Sequence, residues 1–256
     1  MSATPRVVLT NDDGIDSPGL RALRDALSDV GEVTVVAPAG DQSAVGRAMS
    51  SQVEVEERDL GYAIAGTPSD CVVAAVEALD LDPDVVVSGC NEGANLGMYV
   101  LGRSGTVSAA VEAAYFGVPS LAVSLYVPPA EFGDGLDPAA FAPAVDAARY
   151  LVADASVAGV FEEADYLNVN APLGASDPEM EVTTPSHAYE MTAEREADTI
   201  TLRDRIWDRM DPESCPDPPG TDRRAVVEGR VSVSPLTAPH TTHHHDALDD
   251  LAAAYR

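Results

Sequence analysis

Val7-Val8-Leu9-Thr10-Asn11-Asp12-Asp13-Gly14 is an apolar strand that ends in two adjacent carboxylates. A helix starts almost at once, with Ser17 as its N-cap, Pro18 at the first helical position, and Leu20, Leu23 and Leu27 at helical spacing. Strand, short acidic loop and helix make the first half of a βαβ unit. In open α/β sheets ligands collect beyond the carboxyl ends of the strands, which places Asn11, Asp12 and Asp13 in the usual crevice and makes the aspartates a seat for a hard metal ion. Asn-Asp-Asp-Gly would serve equally as a plain turn, so the rest of the chain has to decide.

Working outward, Glu32 to Pro38 reads as a second buried strand, and the small polar loop Gly40 to Gly46 follows it at the same sheet edge. Thr67-Pro68-Ser69-Asp70 opens another helix, with proline in the first position and an acid three residues after the cap. Asp84 to Gly89 is near-continuously apolar, as a strand buried on both faces should be. A glycine-punctuated loop spans Gly89 to Gly105, then an alanine-rich helix runs from about Thr106 to Phe116. Ser120 to Leu125 and Tyr166 to Asn170 supply two more strands, with a helix from about Asp137 to Val152 between them.

Strands alternating with helices predict a Rossmann-like, doubly wound, mostly parallel α/β sheet in three layers. Past Pro172 the texture changes to prolines, charges and short alternating segments such as Thr199-Ile200-Thr201-Leu202. The expected division is a core of residues 1–175 and an antiparallel arm with a last helix over residues 176–256, serving self-association or standing as a plain surface hairpin.

Composition narrows the chemistry. Fifteen basic against 43 acidic residues give a net charge of −28. That field repels nucleic acid polymers and anionic membrane surfaces. Every basic residue is an arginine. The missing lysine removes P-loop phosphate binding and Schiff-base chemistry, and it fits poorly with lysine-dependent receiver domains and aspartyl-nucleophile phosphatases. An acidic, lysine-free surface suits a protein working in concentrated salt, where screening suppresses self-repulsion. Cys71, Cys90 and Cys215 form no Cys-x-x-Cys pair, which argues against a disulfide scaffold or a zinc ribbon. With no signal-like N-terminus and no run near the roughly 18 apolar residues of a membrane span, a soluble cytoplasmic protein is expected.

Four segments converge on one sheet edge in this topology: Asp12 and Asp13, Ser43, Asn91 with Asn95, and Ser104-Gly105-Thr106. Together they offer hard oxygen donors beside a helix N-terminus, whose amides and dipole favour a phosphate. The stretch Gly89 to Gly97 does not fit the dinucleotide fingerprint Gly-x-Gly-x-x-Gly.

The motifs Thr10-Asn11-Asp12-Asp13-Gly14, Val35-Val36-Ala37-Pro38 then Gln42-Ser43, Gly66-Thr67-Pro68-Ser69-Asp70-Cys71, Ser88-Gly89-Cys90-Asn91-Glu92-Gly93-Ala94-Asn95-Leu96-Gly97 and Ser104-Gly105-Thr106-Val107 occur in this order. In this the chain resembles the SurE family of survival-protein nucleotidases. The likeness runs from Arg6 to about Ser124, resumes at Leu167 to Pro172, and returns more weakly at Gly220-Thr221-Asp222 and Val231 to Leu236.

The resemblance implies a phosphatase that removes phosphate from nucleoside 5′- and 3′-monophosphates with Mn²⁺ or Mg²⁺, and that forms dimers or tetramers through C-terminal arms. It implies Asp12, Asp13, Ser43 and Asn91 as metal ligands, the two aspartates as catalytic, and Asn95, Ser104, Gly105 and Thr106 as the phosphate site. Glu92 and Arg103 depart from the family pattern. Glu92 is expected to face solvent, and Arg103 could aid an anionic substrate by its charge. His240 and His243 to His245 are read as a polar approach to the last helix rather than a transition-metal site. The competing readings are a broad phosphomonoesterase or short-chain polyphosphatase, and a nucleotide-binding regulatory module without chemistry.

Overall fold

The computed structural model describes residues 4–131, 135–155, 158–238 and 252–254. The histidine cluster at 240 and 243–245 lies outside them, as does most of the expected last helix, of which residues 252–254 are helical.

The elements run β1 (Arg6–Thr10), α1 (Pro18–Leu27), β2 (Glu32–Pro38), β3 (Val55–Arg58), β4 (Gly61–Ile64), α2 (Pro68–Val73), β5 (Val85–Glu92), α3 (Met98–Leu101), α4 (Gly105–Tyr115), β6 (Ser120–Tyr126), α5 (Ala142–Asp154), β7 (Tyr166–Pro172), β8 (Met180–Val182), β9 (Met191–Glu196), β10 (Thr199–Asp204), α6 (Asp222–Val227) and β11 (Val231–Leu236). Nine strands form one sheet in the order β3-β4-β2-β1-β5-β6-β7-β11-β8, and β9 with β10 make a separate antiparallel ribbon. The strands from β4 to β7 are parallel neighbours, while β3 and β11 enter antiparallel at either side.

The central strands are apolar throughout because both faces are covered. On β1, Val7 and Leu9 face the layer built around α1 and α5, whereas Val8 joins Val36, Val86, Cys71 and Ala109 in the layer of α2 and α4. The same alternation separates Val85 and Val87 from Val86 on β5. Helix starts are fixed locally. Ser17 caps α1 ahead of Pro18, and Thr67 with Asp70 forms a reciprocal capping box at α2. The helix expected from Asp137 begins as a 3-10 turn, Pro138–Phe141, capped by Asp137, and becomes α-helical at Ala142 next to Pro143.

Several features were not expected, among them the short helix α3, which lies inside the stretch Gly89 to Gly105 that reads as loop. The hairpin β3–β4 is an edge ribbon whose first strand carries Glu56, Glu57 and Arg58, leaving little apolar signal. Strand β5 also runs on to Glu92, into the stretch that reads as loop, because a bulge interrupts its pairing with β6: Ser88 sits opposite Ala122 and Asn91 opposite Ser124. A Cβ at Gly89 would lie 2.2 Å from the Val123 carbonyl oxygen, so only glycine lets β5 pass here. No helix among the described residues is long and apolar enough to cross a membrane.

Candidate active site

Strand order reverses at β1: β2 and β4 lie on one side of it, β5, β6 and β7 on the other. The crevice at such a switch point opens beyond the carboxyl ends of β1 and β5, which are in register at Thr10 and Ser88. Asp12 and Asp13 leave β1 into it, and Asn91 follows the bulge toward the carboxyl end of the neighbouring β5. Asn11 holds the acidic loop closed, donating through Nδ2 to the Gly14 carbonyl at 2.9 Å and to Ser17 Oγ at 2.8 Å.

Asp12 is buried and gripped by the start of α4. Thr106 Oγ1 donates to its carboxylate at 2.6 Å, while Ser104 Oγ caps α4 by accepting from the Val107 amide at 3.1 Å. The Thr106 hydroxyl proton is therefore committed to Asp12, whereas Ser104 accepts and keeps its own proton to donate. Beside it, α4 offers a ligand its first amide, that of Gly105, which has no hydrogen-bond partner among the described residues. Contact this close requires glycine: a Cβ at Gly105 would stand 2.8 Å from the Asp12 Cβ.

Burial pushes the Asp12 carboxyl above the usual carboxylate range, against the lowering effect of Thr106. Asp13 is pushed up to about 7, first by burial and then by the charge of Asp12 beside it. No arginine forms an ion pair with either aspartate among the described residues. Glu92 is partly buried rather than solvated, and its charge adds to the rise at Asp13 because β5 extends far enough to bring it there.

The Ser43 loop is latched at both ends. The Gln42 amide donates to the Asp12 carbonyl at 2.7 Å, and Arg47 pairs with Glu112 of α4 at 2.9 Å while stacking over Tyr115. Asp41 sets the serine by accepting from its amide at 2.9 Å and from its hydroxyl at 2.5 Å. Its role was open to recognition as an Asp-x-Ser turn. Asn91 spends its amide nitrogen on the Gly93 carbonyl at 2.6 Å, which frees its oxygen as a donor to a cation.

Asn95 is buried and held from all sides. Its Nδ2 donates to Ser124 at 2.9 Å, its amide to Asn170 at 2.8 Å, and its carbonyl accepts from Asn168 at 2.8 Å and Asn170 at 3.1 Å. Two asparagines in an otherwise apolar buried strand were the signal for these partners. Beyond Asn95, the Asp222 carboxylate accepts from the Gly97 amide at 2.6 Å and ties the loop to α6. Arg103 is exposed and lies over the Tyr99 ring.

The donor set is one of hard oxygens: two carboxylates, one hydroxyl and one amide. Among the described residues no three His, Cys, Asp or Glu side chains are placed to hold a metal. A cation here would therefore rest on the aspartate pair together with the neutral oxygens of Ser43 and Asn91. Two adjacent carboxylates, one buried and one half-buried, without an ion-pair partner among the described residues suit a divalent ion of the Mg²⁺ or Mn²⁺ type better than a soft one.

Comparison with known proteins agrees with the family likeness and extends it without a break across the segments where the motifs alone were weak. Residues 7–194 match the family described as Survival protein SurE. The chain is 62% identical over 253 residues to the protein named 5′-nucleotidase SurE from Halobacterium salinarum strain ATCC 700922, covering 98% of both chains. It is 62% identical over 255 residues to its namesake from Natronomonas pharaonis, covering 98% of this chain and 99% of that one. These relatives come from halophilic archaea, in keeping with the acidic, lysine-free composition. The crystal structure of the SurE protein from Aquifex aeolicus superposes with a TM-score of 0.75 at 33% identity, covering 91% of this chain and 93% of that one. With its acidic loop at the sheet's switch point and its motifs matched along nearly the whole length, the chain belongs to the SurE family.

Proposed function

We propose that this chain is a 5′-nucleotidase: a phosphomonoesterase that hydrolyses nucleoside 5′-monophosphates, and 3′-monophosphates as well, with Mn²⁺ or Mg²⁺ held by Asp12, Asp13, Ser43 and Asn91. The single observation that carries this reading is the adjacent aspartate pair at the sheet's switch point, of which Asp12 is buried and pressed against the N-terminus of α4, and the names of its relatives point the same way. A bound divalent ion supplies positive charge that polarises the phosphate and orients it for in-line attack.

The residues divide the remaining work. Thr106 fixes Asp12, so that carboxylate is positional. Asp13 is held by no other side chain among the described residues, only by the Glu92 backbone, and is the carboxylate left to take the proton of the attacking water. The Gly105 amide and the dipole of α4 stabilise charge on the phosphoryl oxygens, and Asn95 fixes the shape of the facing loop. Water adds to phosphorus, the ester P–O bond breaks, and the nucleoside leaves on its own oxygen with a proton.

Phosphate release from nucleoside monophosphates in high salt should vanish with chelator and return when Mn²⁺ or Mg²⁺ is restored. Glycerol phosphate and short polyphosphate should be poorer substrates. Equal rates on all three would make the nucleotide incidental, and silence from folded protein would leave only a binding module.

We also assign self-association to the region of residues 176–256, of which β8 and β11 complete the main sheet while β9–β10 stands apart. A lone two-stranded ribbon is marginal in water, and this one exposes Ile200 at 61% and Leu202 at 69%. Replacing both by aspartate should reduce the mass seen by light scattering to that of one protomer. An unchanged assembly would remove the ribbon from the interface.

A further inference from the structure

Behind the loop that carries Asn91 and Asn95 lies an apolar recess lined by Gly93, Ala94, Tyr126, Val127, Pro129 and Trp207. In a chain of net charge −28 this lining holds no charged side chain. It adjoins the candidate site through that loop. Gly93 accepts from the Asn91 side chain at 2.6 Å, and Ala94 and Leu96, which flank Asn95, pack in one cluster with Tyr126, Trp207, Met210 and Val226. Tyr126 is nearly closed off, its hydroxyl donating to the Met210 carbonyl at 3.4 Å, whereas Trp207 is only partly buried on the turn Arg205–Arg209 that follows β10. The open aromatic surface is thus the indole.

Resting on the nucleotidase reading, we propose that this recess is the nucleobase subsite and that Trp207 is its stacking surface. A nucleoside monophosphate is anionic at one end and flat, uncharged and aromatic at the other. The two sides of the Asn91–Asn95 loop present that same contrast, with carboxylates and a helix N-terminus on one side and an indole with aliphatic walls on the other. Stacking needs only a π-face, which every base has. The lining adds few hydrogen-bonding groups with which to read base edges, so the subsite recognises bases as a class. It discriminates weakly among them.

Trp207 is the only tryptophan in the chain, which makes it a built-in reporter. The full-length protein in high salt with Mg²⁺ and inorganic phosphate is titrated with adenosine and, separately, with ribose, while tryptophan emission is followed. Adenosine should change the emission saturably and ribose should not; an unresponsive indole overturns the proposal. In parallel, the ratio of kcat/KM on AMP to that on ribose 5-phosphate is measured for wild type, Trp207→Ala and Trp207→Phe. The alanine variant should lower that ratio by roughly 5- to 100-fold through KM, the range expected for one stacked base, and phenylalanine should restore much of it. An equal loss on both substrates would mean that Trp207 merely supports the loop, and the proposal falls. If wild type hydrolyses ribose 5-phosphate and not AMP, the nucleotidase reading itself fails, an outcome distinct from AMP turnover that ignores Trp207.

Discussion

Asp13→Asn should abolish metal-dependent turnover, by on the order of 10³-fold or more, and at the same time make the metal-free protein more stable. Both effects come from one feature, a half-buried carboxylate beside Asp12 with no ion-pair partner among the described residues. In the folded chain its pKa is pushed up to about 7, against an ordinary value of 3.8. Between those two pH values the folded state holds a proton that the unfolded state has released, so stability from this group falls as pH rises from about 4 to about 7. The direction is opposite to that of a carboxylate stabilised by a partner. Asparagine cannot ionise and escapes the penalty, which allowing for residual solvent is on the order of 1–3 kcal/mol above pH 7. Denaturant unfolding with chelator at pH 5 and pH 7.5, in the same salt, should show the two proteins closer at the lower pH and the variant ahead at the higher. Retained turnover, or a variant no more stable at pH 7.5, would sink the assignment.

Gly105→Ala should damage the site far more than the fold. The added carbon would meet the Asp12 Cβ at 2.8 Å and its Oδ2 at 2.9 Å, both closer than a Cβ contact allows. Either the carboxylate swings off Thr106 or the first turn of α4 backs away. Alanine is otherwise welcome in a helix, so the global fold should persist. The reacting groups shift by a fraction of an ångström to an ångström, which costs on the order of 10²-fold in kcat/KM. The comparison is kcat/KM with circular dichroism on the same samples. Near-normal turnover would show that the approach of α4 to Asp12 is not needed.

The first half of the fold was legible because its signals are local. Pro18 after Ser17, and Asp70 after Thr67, mark helix starts within four residues, and the double-sided burial of β1, β2 and β5 leaves unbroken apolar runs. The hairpin β3–β4 was not legible, since an exposed, charged edge strand looks like loop. Nor was the tail of β5, where Gly89 is a close-approach residue inside a strand rather than a hinge. At the site, residue types and order were enough to name Asp12, Asp13, Ser43 and Asn91 as candidates. The sequence did not show that Thr106 would spend its hydroxyl on Asp12, or that Asn95 would be pinned by Ser124, Asn168 and Asn170. Those bonds join residues 29 to 94 positions apart, and no local pattern encodes them.

The loop from Asn91 to Gly97 is shaped mostly by uncharged amides and a serine hydroxyl within the protein, whereas the arginines of β1, α1 and α5 pair with acids that stay in solvent. Ionic strength reaches the second group and hardly touches the first. A change in the salt around the molecule therefore alters how well its coat tolerates itself without rewiring that loop. The exterior can be retuned to a new salinity, one carboxylate at a time, while the geometry that meets the substrate is inherited unchanged.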